Sequence, residues 1–273
     1  MTQLATRFRD VRLVRAREPL TDDAIRRVAP SIFADSAHAS RSERYGYIPT
    51  CDVLTGLRQE GFEPFMACQA RTRDDGRQDY TKHMLRLRHA DQINGEEANE
   101  IVLINSHDGS SSYQMLAGVY RFVCQNGMVC GETIEDLRIP HRGNVVGRVI
   151  EGAYRILGDF EQVDAAKDDM KRLNMTSEER TLLANAALTV RFEQNPPVTA
   201  EQVLKPQRSD DTASNLWTTF NVIQENLVRG GLRGQSPQGR RTHTRAVTGI
   251  DGNVRLNRAL WMLAEKMREL KTH

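Results

Sequence analysis

The chain has 273 residues, of which 39% are hydrophobic and 27% charged, and its formal net charge is +2. This composition is unlike that of disordered chains, no apolar run reaches the roughly 18 residues of a membrane span, and the first residues lack the apolar stretch of a secretory signal. The four cysteines are not closely paired, as is typical of reduced thiols. We therefore expect a cytoplasmic protein without membrane contact.

Two short helices are predicted near the N-terminus, after a mixed lead-in. The stretch LTDDAIRRVAPSIF fits a helix with Thr21 as its N-cap and Pro30 near its end. The stretch IPTCDVLTGLRQEGF fits a second helix, which Thr50 or Asp52 can cap. Gly61 lies where a C-terminal glycine would end that helix.

From residue 65 onward strand-like runs, one of them continuously apolar and another clearly alternating, predict an antiparallel β-meander over about residues 65–131. The predicted strands are FMACQART, YTKHMLRLRH, NEIVLINS, SYQMLAGVYRFVC and MVCG. Short turns separate them, at Asp74-Asp75-Gly76, His107-Asp108-Gly109 and Asn126-Gly127. Strands joined by such short turns pair with their neighbours in one antiparallel sheet.

Helical spacing replaces the alternation after residue 145. Apolar residues recur at this spacing from Ala153 to Met170, and Thr176 with Glu179 forms a capping box for a helix that runs to about Phe192. Two further helices follow, the first ended by Gly230-Gly231 and the second capped by Asn253. The sequence thus predicts an α+β fold with a helical lead-in and sheet over 1–145 and a helical region over 146–273, packed as one unit.

The linker between the last two helices, residues 229–245, carries a dense positive charge. Residues 205–273 have 12 basic and 6 acidic side chains, whereas residues 1–144 have 19 and 20 and residues 145–204 have 7 and 10. Arginine suits bidentate phosphate contacts, glycine lets a backbone approach closely, and a loop of this length is typically functional or disordered. The alternative is a solvated basic segment. The predicted phosphate contacts are Arg229, Arg233, Arg240, Arg241, His243 and Arg245, helped by the hydroxyl groups of Thr242 and Thr244.

A second basic patch is predicted on the sheet. Lys82, Arg86 and Arg88 alternate along one face of a strand. Tyr113 and Tyr120 on nearby strands can stack bases, so the patch and the linker together predict a groove for a single-stranded nucleic acid. The alternative is that the face of residues 82–88 is only the solvent side of the sheet.

Catalytic and metal-binding patterns are weak. Ser106, His107 and Asp108 are neighbours on a predicted turn and cannot converge as the members of a triad do. Cys124 and Cys130 are wider apart than the close pairs common in zinc sites. We expect no cofactor and no metal, and a binding protein more readily than an enzyme. A hydrolase or nuclease built on His107 and Asp108 is the least supported hypothesis.

Three stretches also stand out as a set: YIPTCDVLTGLRQEGFEPFMACQ, VLINSHDGSSSYQMLAGVYRFVCQNGMVCG and LKPQRSDDTASNLWTTFNVIQENLVRGG. Together they resemble the plasmid- and prophage-borne family of unknown function typified by YafZ, YfjQ and YubP. The resemblance extends from about residue 28 to the end and implies a bacterial cytoplasmic protein of mobile DNA elements, without implying an activity. The order of helix, meander and helix is similar in outline to single-strand annealing recombinases such as RecT, Redβ and Erf, which assemble as rings or filaments.

Two functions follow as hypotheses. The favoured one is a non-enzymatic nucleic-acid-binding protein of a mobile genetic element, which binds single-stranded DNA in annealing, recombination or protection of incoming DNA and forms a homo-oligomer by the analogy above. The alternative is a protein-interaction module that antagonises a host defence or repair protein. In that case the arginine segment would meet an acidic protein surface, aided by polar residues around Trp217, Asn221, Gln224 and Asn226. The alternative, an amphipathic core helix, explains these polar residues more simply.

Overall fold

The computed structural model describes residues 11–42, 45–89, 91, 93–94, 97–122, 126–130, 137–138 and 145–272. Its helices are α1 (Asp22–Val28), α2 (Thr50–Gln59), α3 (Val145–Arg172), α4 (Ser177–Phe192), α5 (Ala200–Val203), α6 (Leu216–Arg229) and α7 (Ile250–Thr272). Its strands are β1 (Val11–Arg15), β2 (Phe62–Ala70), β3 (His83–His89), β4 (Ile93–Asn94), β5 (Glu97–Asn105), β6 (Gln114–Arg121), β7 (Asn126–Val129), β8 (Leu137–Arg138), β9 (Arg233–Gln235) and β10 (Arg241–His243). The predicted α+β class is confirmed.

The main sheet has the strand order β1-β2-β3-β5-β6-β7, with β4 beside β5 and β8 beside β6. The pairings from β1 to β6 are antiparallel, which confirms the meander. Two features differ from the prediction. Strand β1 adds an edge to β2 from within the lead-in, and Asn126-Gly127 begin β7 instead of forming a turn.

Short polar side chains build two of the predicted turns. The Asp74 carboxylate accepts a hydrogen bond from the Gly76 N–H at 3.0 Å, and a 3-10 helix (Asp75–Tyr80) then leads into β3. The Asp108 carboxylate accepts from the Ser110 N–H at 2.9 Å, beside Gly109 at a φ of 77°. Both stretches act as turns, because Asx-type hydrogen bonds and positive φ reverse the chain locally.

One face of the sheet is buried with a polar network that also involves the start of α2. The His83 ring lies 2.9 Å from the Ser31 hydroxyl on one side and 2.9 Å from the Thr50 hydroxyl on the other. The Asn105 amide donates to the same Thr50 oxygen at 3.0 Å. Thr50 is therefore not the predicted N-cap of α2, since Pro49 holds that position and makes no side-chain cap bond.

The predicted ends of several helices are confirmed. Thr21 caps α1, the capping box of Thr176 with Glu179 opens α4, and Gly61 follows α2 at a φ of 84°. The predicted cap Asn253 is wrong, because α7 already begins at Ile250. Its side chain instead accepts a hydrogen bond from the amide of Asn257.

The residues fall into two compact units. The first comprises Met1–Gly127, Ile134–Phe160 and Thr248–Ile250, and the second comprises Met128–Thr133, Glu161–Val247 and Asp251–His273. Packing of the sheet and the helical region as one body stays a prediction. Among the described residues, the helices are all too short or too polar to cross a membrane.

Candidate functional site

The arginine-rich linker folds as an ordered β-hairpin. Strands β9 and β10 pair antiparallel, with Arg233 opposite His243 and Gln235 opposite Arg241. The connection Ser236-Pro237-Gln238-Gly239 has proline and glycine where a type I turn favours them. The Ser236 N–H donates to the Arg240 carbonyl at 2.8 Å, and the Gly239 N–H donates to the Ser236 carbonyl at 2.8 Å. The expectation of a long irregular linker is therefore corrected.

One side of this hairpin forms a cationic hairpin face made of Arg233, Gln235, Arg241 and His243. These residues lie on the same side because cross-strand partners and alternate residues of a strand share a face. All four are exposed. Arg240 and Arg245 are exposed at either end of β10, and residues 227–245 contain no acidic side chain. Gln235 was not among the predicted contacts, although its spacing of two from Arg233 could have indicated it.

The opposite side of the hairpin packs on the chain around α5. A Cβ atom on Gly234 would lie 2.0 Å from the Pro197 carbonyl oxygen, so only glycine fits there. The Gln235 N–H donates to the same carbonyl at 2.8 Å, and the Gln202 amide donates to the Arg233 carbonyl at 2.8 Å. These contacts fix the hairpin with its cationic face outward.

The base of the hairpin is tied together by backbone contacts. A Cβ atom on Gly230 would lie 2.6 Å from the Arg245 carbonyl carbon, and the Arg191 guanidinium donates to the Arg245 carbonyl at 3.2 Å. Thr244 is buried and its hydroxyl accepts from the Leu232 N–H at 3.0 Å. Gly230, Gly234 and Thr244 therefore serve the fold of the hairpin, which corrects the expectation that this threonine hydroxyl and these glycines meet a ligand.

Arg229 differs from the other predicted contacts. Its guanidinium lies 2.7 Å from the Glu225 carboxylate, which also receives two hydrogen bonds from Arg208. Glu225 is buried, whereas the Arg229 side chain is half exposed at 50%. Arg229 thus helps to neutralise a buried acid at the end of α6 and is a weaker candidate for phosphate contact.

The second predicted patch is not a surface. Arg86 and Arg88 are each only 2% exposed, and both pair with Glu100 on the neighbouring strand at 3.0 and 2.8 Å. Lys82 is half-buried. The prediction that Arg86 and Arg88 line a binding groove is wrong, because both faces of β3 are covered and the charges are used inside the fold.

The predicted base-stacking tyrosines are also buried. Tyr113 is 0% exposed and Tyr120 is 8% exposed, so neither ring can stack on a base. Burial raises the pKa of Tyr113 well above its ordinary value, and the phenol stays neutral. The predicted groove of cations and stacking rings is therefore wrong, and the candidate site consists of the cationic hairpin face alone.

The helix assigned to protein docking is buried on all sides. Trp217, Asn221, Gln224 and Asn226 are all at most 4% exposed. The Asn226 amide donates to the carbonyls of Val203 and Lys205, and the Gln224 amide donates to the Asn257 side chain. These side chains form hydrogen bonds inside the second unit. The expectation that they form an outer docking surface is therefore wrong.

The turn at Ser106, His107 and Asp108 does not assemble catalytic groups. Ser106 and His107 are 0% exposed, and the Ser106 hydroxyl bonds the backbone of Ser111. Burial opposes ionisation of Asp108, but hydrogen bonds from Ser110 and Ser106 outweigh it and lower the pKa of the carboxyl group. Within the part of the chain that the structure describes, no group of three or more His, Cys, Asp or Glu side chains could hold a metal ion. Cys124 lies outside the described residues.

Known proteins similar to this chain are found over nearly its whole length. A family model described as "Domain of unknown function (DUF932)" matches residues 37–261. UPF0380 protein YafZ and UPF0380 protein YfjQ of Escherichia coli strain K12 are each 55% identical over 268 residues, which is 98% of this chain and 98% of each relative. No solved structure matches the chain. The resemblance inferred from the sequence to the family of YafZ and YfjQ is confirmed.

Proposed function

The chain belongs to the DUF932 family, whose name assigns no activity, and we propose that it is a non-enzymatic nucleic-acid-binding protein that contacts phosphates with its cationic hairpin face. The observation that carries the proposal is the exposed set of Arg233, Arg241 and His243 on one side of an ordered hairpin. A fixed set of guanidinium groups binds phosphates by charge and by bidentate hydrogen bonds, and it releases counterions on binding.

Two further properties support phosphate contact over simple solvation. The hairpin is fixed by its contacts with Pro197 and Gln202, so little backbone entropy is lost when a ligand binds. Residues 227–245 contain five arginines and no acid, so no carboxylate within the segment competes for the guanidinium groups. A solvated basic segment needs neither an ordered backbone nor a one-sided arrangement of charge.

Single-stranded DNA is the ligand we favour, in annealing, recombination or protection of incoming DNA of a mobile genetic element. The order of helix, meander and helix, similar in outline to single-strand annealing proteins, supports this choice by analogy. Base stacking on Tyr113 or Tyr120 is no longer part of the argument, because both rings are buried. Single-stranded and duplex DNA both offer phosphate contacts, so the preference for single strands has to be measured.

The test is fluorescence anisotropy with labelled single-stranded DNA, duplex DNA and RNA of equal length at several salt concentrations. We expect binding that weakens with salt by about 0.7 logarithmic units per phosphate contact for each tenfold rise with single strands, and about 0.9 with duplex. The Arg240→Ala/Arg241→Ala double variant should bind more weakly and show a shallower salt dependence. The control variant Arg172→Ala/Lys266→Ala removes the same charge from exposed positions on α3 and α7 and should bind as the wild type does.

Equal affinity of the Arg240→Ala/Arg241→Ala variant and the wild type would contradict the assignment of the hairpin. Absence of binding to all three nucleic acids at low salt would contradict the function itself. In that case a pull-down after nuclease treatment would test for an acidic host protein on the same face. A stronger affinity for duplex than for single strands would retain nucleic-acid binding and overturn the strand preference, since a two-stranded ribbon also fits the major groove.

A further inference from the structure

The two edges of the β9–β10 hairpin differ in what they contact. On the β9 edge, the Gln235 N–H donates to the Pro197 carbonyl at 2.8 Å. On the same edge, the Arg233 carbonyl accepts from the Gln202 amide at 2.8 Å. The chain around α5 therefore covers the edge of β9, and the edge of β10 is the one at which a further strand can pair.

The backbone groups of β10 point alternately to its two edges. The Ser236 N–H donates to the Arg240 carbonyl at 2.8 Å, and the Thr244 N–H donates to the Leu232 carbonyl at 2.9 Å. Arg240 and Thr244 therefore direct these backbone groups toward β9. Because this direction alternates along an antiparallel strand, the odd-numbered residues of β10 direct their N–H and carbonyl groups to the outer edge.

The outer edge of β10 presents hydrogen-bond donors and acceptors to the solvent. Its end is marked by Arg245, whose carbonyl accepts a hydrogen bond from the Arg191 guanidinium at 3.2 Å. In the part of the chain that the structure describes, the N–H and carbonyl groups of Arg241 and His243 have no partner on this edge. A row of such groups at the edge of a sheet is a template for pairing with an extended chain.

The side chains along the β10 edge select the charge of a partner. Arg241, His243 and Arg245 are exposed, and residues 227–245 contain no acidic side chain. Pairing with β10 of a second copy would place arginines near arginines, and like charges on facing strands are destabilising. Charged edges prevent such self-pairing in natural sheets, whereas a strand that carries carboxylates gains favourable cross-strand pairs. The edge therefore fits an acidic strand.

We propose that the outer edge of β10 binds an extended acidic segment of another protein, which adds a further strand to the hairpin. In antiparallel pairing, the peptide residues opposite Arg241 and His243 exchange both backbone hydrogen bonds with them. The side chains of these peptide residues lie on the cationic hairpin face, so carboxylates at every second position meet Arg241 and Arg245. This pairing goes beyond the proposed function and does not rest on it, because it uses the backbone groups of β10 and phosphate contact uses the side chains.

The first test is fluorescence anisotropy with the full chain and a short labelled peptide in which glutamate alternates with threonine, a residue that favours strands. Two N-methylated versions of the peptide have equal charge and separate strand pairing from charge attraction. Methyl groups on the glutamate nitrogens remove the N–H groups that face β10 and should weaken binding roughly tenfold or more. Methyl groups on the threonine nitrogens lie on the far edge of the peptide and should leave its affinity unchanged.

A proline in β10 tests the same pairing from the side of the protein. His243→Pro removes an outward N–H group but none of the bonds between β10 and β9, and proline is tolerated at such edge positions. His243→Ala is the matched control, because it removes the same imidazole and keeps the N–H group. We expect His243→Pro to bind the peptide roughly tenfold more weakly than His243→Ala. Protection of the Thr244 amide from hydrogen exchange verifies that the hairpin remains paired.

The proposal is overturned if both methylated peptides bind equally well, or if the wild type binds none of the peptides. It is also overturned if His243→Pro, with its Thr244 amide still protected, binds the peptide as His243→Ala does. If the proline opens the hairpin, the methylated peptides decide the question on the wild type alone. His243→Pro and His243→Ala should bind single-stranded DNA equally, since phosphate contact through side chains does not need the His243 N–H group. Failure of either proposal is therefore visible without failure of the other.

Discussion

Two arginines share one face of β3, and two others share one face of the β9–β10 hairpin, with opposite outcomes. Arg86 and Arg88 are buried and share Glu100, whereas Arg233 and Arg241 are exposed with no acid in their segment. Arg86 and Arg88 share a face because they alternate along one strand, whereas Arg233 and Arg241 share a face through the antiparallel pairing of β9 with β10. Strand spacing and pairing therefore identify which residues share a face, whereas residues distant in the sequence, such as Glu100 for β3, determine whether that face is buried.

The largest expected effect comes from removing the negative charge of Glu100, the buried acid that pairs with Arg86 and Arg88. Glu100→Gln keeps the size of the side chain but removes the carboxylate that pairs with both Arg86 and Arg88. We expect the free energy of unfolding to fall by about 3–5 kcal/mol, as when one partner of a buried ion pair is lost. Denaturation in urea, read as the midpoint and slope of the transition, measures the change.

The matched control is an acid in an exposed pair. Glu269 lies 2.8 Å from Lys266, and their side chains are 49% and 67% exposed. Glu269→Gln should change the free energy of unfolding by no more than about 1 kcal/mol, since exposed pairs contribute little. Equal effects of Glu100→Gln and Glu269→Gln would show that Glu100 does not stabilise the fold through its ion pairs with Arg86 and Arg88.

The sheet was predictable because its strands carry their own local signals. Strand-like runs mark β2, β3 and β6, a short continuous apolar run marks β5, and Asp74 and Asp108 supply two of the turns between them. Strand β1 was missed because VRLVR is a short run that becomes a strand only through pairing with β2, more than fifty residues away. Local patterns specify an element when its own residues stabilise it, and fail when distant backbone pairing does.

The candidate site followed the same division. Charge and glycine content located the segment 229–245, but β9 and β10 are three-residue strands without an apolar alternation to reveal them. The hairpin is held in place by backbone contacts with Pro197, and no pattern within residues 229–245 predicts these contacts. The burial of Arg86 and Arg88 was likewise hidden, because their partner Glu100 lies on β5, two residues from the Val102 that the register places opposite Arg86.

The substitution Gly234→Ala tests how firmly the contact with Pro197 holds the β9–β10 hairpin in place. In Gly234→Ala the added Cβ would lie 2.0 Å from the Pro197 carbonyl oxygen, so the hairpin must shift. We expect a loss of about 1–3 kcal/mol in the free energy of unfolding or of local opening, typical of overpacking. Hydrogen exchange of the β9 and β10 amides, together with urea denaturation, measures both.

Gly249→Ala is the control, because a Cβ there meets nothing within 4 Å and its φ is not positive. This variant should leave both the unfolding midpoint and the exchange of the hairpin amides unchanged. Unaltered protection of the hairpin in Gly234→Ala would mean that the contact with Pro197 does not hold it in place.

Two histidines extend the same comparison to acid. His83 is buried between Ser31 and Thr50, and burial, with the nearby His107, lowers its pKa well below the ordinary value. The unfolded chain then binds a proton near pH 6.5 that the folded chain does not, so stability falls as the pH drops below that value. The expected loss is about 1.4 kcal/mol at pH 5.5 from this group alone.

Exposed His243 on the cationic hairpin face provides the contrast, because its side chain lies at the surface and not in the interior. Urea denaturation at pH 7.5, 6.5 and 5.5 should show a smaller dependence on pH in His83→Gln than in the wild type, and no change in His243→Gln. Acid would thus destabilise the folded protein through the buried His83. A pH dependence of stability that His83→Gln leaves intact would assign the acid sensitivity to other groups and remove His83 from this account.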